Sequence, residues 1–222
     1  MTTTRTSERE RRLSFKYGPK PVVGLIGAIG AGKSTAARCF TGRGGQVIDA
    51  DALGHEALRQ PEIVAALMKR WGERIVREDG SLDRREIGRI VFADRNERSA
   101  LEATVFPYIN RRTQTEISAA QANPDVGFVV LDAAVLLEAG WGDLVDTLAY
   151  VDAPREMRSV RLAARSGWDE AELTARESAQ WSAEAKKARA DTVLVNDGSR
   201  DELQAQVDRF VAQFCNVNGV RL

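Results

Sequence analysis

Short apolar runs alternate with longer amphipathic stretches along the chain. Val22-Val23-Gly24-Leu25-Ile26 is a compact, β-branched run that closes on glycines, a pattern that predicts a buried parallel strand. Lys33 to Phe40 reads as a helix, and Gln46 to Asp51 as a second strand that runs into a helix start. Gly127–Leu131, Val145–Val151 and Thr192–Val195 predict three more strands. Between them, Pro61 to Ala122 carries helical periodicity with breaks near Gly72, Asp79-Gly80 and Pro107, and with no strand signal. Pro154 to Arg189 is again helical, broken near Gly167 and dense in arginine, and Arg200 to Phe214 predicts a closing amphipathic helix. This alternation predicts an α/β fold, a parallel five-stranded sheet with helices on both faces.

The same pattern divides the chain. Residues 21–60, 124–154 and 191–215 form the expected strand-bearing core, 61–123 a helical insertion, and 155–190 a second helical segment. Residues 1–20 hold six basic side chains against two acidic ones and almost nothing apolar, which predicts a solvated, disordered basic tail. Over the whole chain 32 basic residues balance 32 acidic ones, so the basic excess of a nucleic-acid protein is missing. Two cysteines, Cys39 and Cys215, cannot build a disulfide framework. One histidine, His55, makes a His-rich metal site or a Ser-His-Asp triad a poor reading. The longest apolar stretch, Pro21–Gly32, is broken by four glycines, and the N-terminus lacks the apolar core of a signal peptide. These features predict a reduced cytoplasmic protein with no membrane or nucleic-acid partner.

Gly27-Ala28-Ile29-Gly30-Ala31-Gly32-Lys33-Ser34 fits G-x-x-x-x-G-K-[ST], placed between a strand and a helix as a phosphate-binding P-loop requires. Its glycines let backbone N–H groups turn inward to phosphate, with Gly27, Gly30, Ala31, Gly32, Lys33, Ser34 and Thr35 around the nucleotide. Lys33 reaches the β- and γ-phosphates and Ser34 places Mg²⁺. Asp49 and Asp51, two apart on the predicted strand, share a face at the sheet edge where such folds bind ligands. Asp51 there suits a base for an attacking hydroxyl, or a plain helix cap. Asp132 follows its own apolar run in the manner of an Mg²⁺-shell carboxylate, or again a cap. Arg161 and Arg165 lie four apart on one helical face, and Arg176 follows; guanidinium forks suit phosphate oxygens. Asn196, directly after the last strand, stands where a nucleotide base can face the protein. Asp51-Ala52-Leu53-Gly54 matches a GTPase switch, but N-K-x-D occurs nowhere, so a small-molecule kinase is the better reading.

These residues resemble the dephospho-coenzyme A kinases. The likeness runs from Val23 through the P-loop into Val47-Ile48-Asp49-Ala50-Asp51, resumes at Asp79–Arg85 and Ile90–Asp94, and covers Leu131-Asp132 to Glu138. It continues through Val151–Pro154, Arg161, Arg165, Arg176, Gln180 and Lys187 to Val195-Asn196-Asp197-Gly198. The resemblance implies a P-loop kinase fold with a helical acceptor-binding insertion and a helical lid over 155–190. It also implies transfer of the ATP γ-phosphoryl group to the ribose 3′-hydroxyl of dephospho-coenzyme A, the last step of coenzyme A synthesis. Asp51 matches the base, Arg161 and Arg165 the lid arginines, and Arg84, Phe106 and Arg176 fall in regions implied to meet the acceptor. Three positions depart from the family pattern: Ala28 for a second glycine, Phe106-Pro107 for His-Pro, and Ala134-Val135-Leu136 for Pro-Leu-Leu. A kinase of another small acceptor, such as a nucleoside monophosphate, and a non-catalytic ATP-binding regulator remain open as alternatives.

Overall fold

The strand β1 (Val22–Gly27) is buried at all six positions, and its side chains divide between two cores. In the computed structural model, which describes residues 15–218, Val22 and Ile26 face one core while Val23 and Leu25 face the other. Such burial on both faces is what a continuous apolar run without alternation produces. Four further strands, β2 (Gly45–Asp49), β3 (Phe128–Asp132), β4 (Thr147–Asp152) and β5 (Thr192–Val195), complete a parallel sheet with it in the order β2-β3-β1-β4-β5. The five-stranded parallel α/β sheet expected from the alternation is therefore present. β1 sits at its centre, so the loop that leaves its carboxyl end emerges between β3 and β4, where open parallel sheets bind ligands.

Helix α1 (Lys33–Thr41) follows that loop and buries Ala36, Ala37, Cys39 and Phe40 against the sheet. Phe40 meets Phe128 and Phe210 edge-on, with ring centroids 6.1 and 5.8 Å away. The second predicted strand ends earlier than its sequence suggests. β2 stops at Asp49, whose carboxylate caps helix α2 (Ala50–Ala57) by accepting from the Ala52 N–H at 2.9 Å. Asp51 thus lies in the first turn of α2, and the capping role falls to Asp49.

The insertion holds α3 (Pro61–Trp71), α4 (Arg84–Ala93) and the 28-residue α5 (Arg95–Ala122). Two expectations are corrected here. Val76 and Leu82 form an antiparallel bridge around an Asp79-Gly80 turn, so the segment is not purely helical. Helix α5 also runs through Pro107 without a break. Proline removes one N–H from the ladder, while Val105, Ile109, Thr113 and Ile117 repeat every four residues on a buried stripe that holds the helix to the body.

Helix α6 (Arg155–Ser166) ends at Gly167, which supplies the left-handed backbone, φ 68°, that closes its last turn. α7 (Glu170–Glu177) and α8 (Ala183–Ala188) follow, capped by Asp169 and Ser182, and α9 (Arg200–Asn218) packs on α1. Of the predicted tail, residues 1–14 lie outside the described residues, whereas Phe15–Lys20 pack on the body. The Lys16 N–H donates to Asp146 at 3.0 Å, and the same carboxylate accepts the Val22 N–H at 2.8 Å. Lys20 donates to the Ala120 carbonyl at 2.8 Å.

Because Phe40 anchors the helix that extends the phosphate loop, Phe40→Ala is expected to destabilise the protein by about 3–5 kcal/mol. A shift of the urea midpoint at constant slope measures it.

Candidate active site

The phosphate loop is held from behind. Gly27 ends β1 against the Val151 carbonyl, 2.7 Å from where a Cβ would stand, so a side chain is excluded there. Gly32 adopts φ 94°, and a Cβ would collide with the Asn196 amide. A loop that turns its N–H groups inward turns carbonyls outward, and here those carbonyls find donors. The Arg158 guanidinium, 6% exposed, donates to the Ile29 carbonyl at 3.0 Å and the Ala153 carbonyl at 3.2 Å. The Asn196 amide donates to the Ala31 carbonyl at 2.7 Å. No side chain caps the N-terminus of α1, which leaves its first N–H groups available to an anion.

A cavity of about 850 Å³ opens over this loop. Lys33, Ser34 and Thr35 line one side, Asp49, Asp51 and Asp132 another, and Arg161, Arg165 and Arg176 a third. The carboxylates converge because Asp49 and Asp132 are register partners at the ends of β2 and β3, with Asp51 one step into α2. Burial in the cavity wall pushes the Asp132 carboxyl up to about 6, with the neighbouring Asp51 and Asp49 charges adding to the rise and Lys33 opposing it. Burial likewise raises the Asp51 carboxyl, against the pull of Lys33 and an Ala134 N–H. The donors fit a polyphosphate: Lys33 and Arg165 make no ion pair among the described residues. Arg161 donates one N–H to the Asn196 carbonyl at 3.0 Å, while its buried Nη1 lacks a protein acceptor. A buried guanidinium nitrogen left unpaired is costly until an anion meets it.

The model of the family described as dephospho-CoA kinase matches residues 21–202. The chain belongs to that family. A dephospho-CoA kinase from Symbiobacterium thermophilum is 40% identical over 201 residues, covering 89% of this chain and 83% of that relative. One from Enterococcus faecalis is 34% identical over 194 residues, covering 86% and 96%. The crystal structure of TT1252 from Thermus thermophilus superimposes with a TM-score of 0.74 at 37% identity, covering 87% of this chain and 97% of that one. A shikimate kinase from Acinetobacter baumannii, 13% identical with a TM-score of 0.51 and covering 89% and 94%, shares the fold. A kinase family implies ATP use, and the cavity lies over the loop that follows β1.

Gly30, Gly32, Lys33, Ser34, Thr35, Asp51, Asp132, Arg161, Arg165, Arg176 and Asn196 thus meet in one cavity. Gly27 and Ala31 shape the loop from behind instead, Ala31 being fully buried. Asn196 lines the cavity with its side chain committed to the loop, so its evident work is to brace Ala31. Phe106, expected beside the acceptor, is half-buried at the edge of the core and packs its ring on Trp141 at 5.3 Å. Arg84 lies off this cavity and touches His55.

The roles of two residues, Arg158 and Lys186, escaped sequence reasoning. Arg158, on α6, joins the loop to α7 by an ion pair to Glu177, which also binds Arg155. Its signal was faint: Arg158 and Leu162 are four apart on the one buried stripe of an otherwise polar helix. Lys186, buried, bonds the Ala134 carbonyl at 2.9 Å, Gln180 at 2.8 Å and Glu138 at 2.9 Å.

Gly32→Ala is expected to weaken ATP binding roughly tenfold or more, since left-handed strain and the Asn196 collision both distort the loop. Calorimetric titration measures it, with a thermal melt as folding control. A carboxyl raised in the native state loses stability as pH rises through its folded value. Asp132→Asn, free of that loss, is expected to stabilise the metal- and nucleotide-free protein by about 1–2 kcal/mol at pH 8. The gain should vanish below pH 4, as denaturant midpoints at the two pH values would report.

Proposed function

We propose that the chain transfers the γ-phosphoryl group of ATP to the ribose 3′-hydroxyl of dephospho-coenzyme A. One observation carries this reading within the family: Asp51, a carboxylate raised by burial, faces the same cavity as the unpaired Lys33 ammonium and the phosphate loop. A base and a phosphate clamp on one cavity suit transfer to a hydroxyl.

Lys33 and the N-terminal N–H groups of α1 would hold the β- and γ-phosphates. Asp51 would accept a hydrogen bond from the 3′-hydroxyl, aim its oxygen in line with the γ-phosphorus, and take its proton as the new P–O bond forms. ADP leaves as the bond to its β-phosphate oxygen breaks. Arg161 and Arg165 would stabilise charge spread over the moving phosphoryl oxygens, Arg161 through the Nη1 that lacks a protein acceptor. Ser34 and Asp132 fit Mg²⁺ when phosphate oxygens complete the shell. Among the described residues no three carboxylate, His or Cys groups would hold a metal unaided. Mg²⁺, when bound there, supplies charge neutralisation on the phosphates. The lid over 155–190 would exclude water, which otherwise competes for the phosphoryl group. A cytoplasmic setting and a small-molecule partner belong to the same reading.

Incubation with MgATP and dephospho-coenzyme A should give a product heavier by one phosphoryl group in the mass spectrum, absent with Lys33→Ala. ATP binding without that product would overturn the acceptor. Asp51→Asn should lower kcat by about 10²–10⁴ while ATP affinity stays near wild type. A kcat within a few-fold of wild type would remove Asp51 as the base.

A further inference from the structure

The turn between α7 and α8 enters the phosphate cavity with Ala179 and Gln180. Its backbone is held at three successive residues. Arg98 of α5 donates to the Ala179 carbonyl at 3.2 Å, the Gln180 N–H donates to the Glu177 carbonyl at 3.0 Å, and the Trp181 N–H donates to Glu138 at 2.9 Å. The Gln180 side chain is held as well, by Lys186, which is 1% exposed.

Lys186 decides which way round this amide stands. An ammonium has three N–H donors and no acceptor. Here the three meet the Ala134 carbonyl at 2.9 Å, Glu138 at 2.9 Å and Gln180 Oε1 at 2.8 Å. Burial works against the charged lysine, and the Glu138 carboxylate beside it favours that form. The amide oxygen of Gln180 is thereby committed, and its Nε2 is left to face elsewhere. Among the described residues Nε2 has no hydrogen-bond partner, and it is not sealed in the interior. Gln180 lines the cavity together with Lys33, Arg161, Arg165 and Arg176, so its free donors are available to an anion there. A reversed amide would set N–H against N–H at Lys186. The cavity is therefore offered a donor and never the carbonyl oxygen.

We propose that Gln180 is a further catalytic residue, its Nε2 donating to an oxygen of the phosphate chain held over Lys33. The inference rests on the phosphoryl transfer proposed above, and not on which acceptor takes the group. A neutral donor stabilises the moving charge without adding one more cation to repel the arginines. Its orientation is set in advance by a buried ion pair, so no reorganisation is needed as the charge develops.

Two substitutions separate this role from a purely structural bond to Lys186. Gln180→Ala removes both ends of the amide. Gln180→Glu keeps an oxygen for Lys186 and puts a second oxygen where the N–H donors were. In the assay with MgATP and dephospho-coenzyme A, kcat should fall about 10²-fold in Gln180→Ala and further in Gln180→Glu. The melting temperature of Gln180→Glu should stay at or above that of Gln180→Ala. A purely structural Gln180 gives the opposite order of activity, because Glu restores the bond to Lys186. A kcat for Gln180→Ala within a few-fold of wild type, or a Gln180→Glu as active as Gln180→Ala, overturns the proposal.

A second readout needs no turnover. The side-chain amide protons of Gln180, assigned by their absence from the spectrum of Gln180→Ala, should move downfield when a non-hydrolysable ATP analogue and Mg²⁺ are added. Amide protons that stay in place overturn the proposal whatever the acceptor. If they move downfield and no phosphorylated dephospho-coenzyme A forms, the acceptor reading fails and the Gln180 donor stands.

Discussion

A loop that points its N–H groups at an anion must turn its carbonyls into the protein, and buried carbonyls need donors. That requirement organises this molecule. The Ile29 carbonyl is met by Arg158 and the Ala31 carbonyl by Asn196, one from the helix after β4 and the other from the end of β5. The donors bring their own obligations. Arg158 is a buried charge and holds Glu177 of α7; Asn196 receives Arg161 on its carbonyl. The loop, helices α6 and α7 and the last strand are thus one bonded unit, and those helices are rooted in the bonds that shape the phosphate site.

Charge is arranged around that unit in opposition. Asp49, Asp51 and Asp132 gather at the ends of β2 and β3 and the start of α2, and they share a single cavity with Lys33, Arg161, Arg165 and Arg176. Burial makes both Asp51 and Asp132 weaker acids than free aspartate, and Lys33 tempers the rise. A raised carboxyl is better matched to accepting a proton near neutral pH than an ordinary one. Its proximity to Lys33 favours the ionised form that can do so.

Sequence reading succeeds where the physics is local. The P-loop is visible because glycines at fixed spacing, a lysine and a hydroxyl residue act within eight positions of one another, and the buried strands because both faces demand apolar side chains. It falters where neighbours distant in the chain decide. Asp49 and Asp51 look alike as candidates, and only the early end of β2 gives the cap to Asp49 and leaves Asp51 to the cavity. Pro107 reads as a break until the buried stripe of α5 outweighs it. Phe106 is claimed by Trp141, a residue of another segment. Arg158 and Lys186 resemble solvated helical cations, because burial of a charge depends on partners such as Glu177 and Glu138 that no periodicity announces.

Ala134 joins two of these features. Its backbone N–H helps hold the Asp51 carboxyl down against burial, and its carbonyl accepts from the buried Lys186 ammonium at 2.9 Å on α8. One residue's backbone therefore stands between α8 and the carboxylate proposed as base. A displacement of α8 would tilt that backbone and so change the proton affinity of the carboxyl beside it. Position at one end and acidity at the other meet in a single peptide unit.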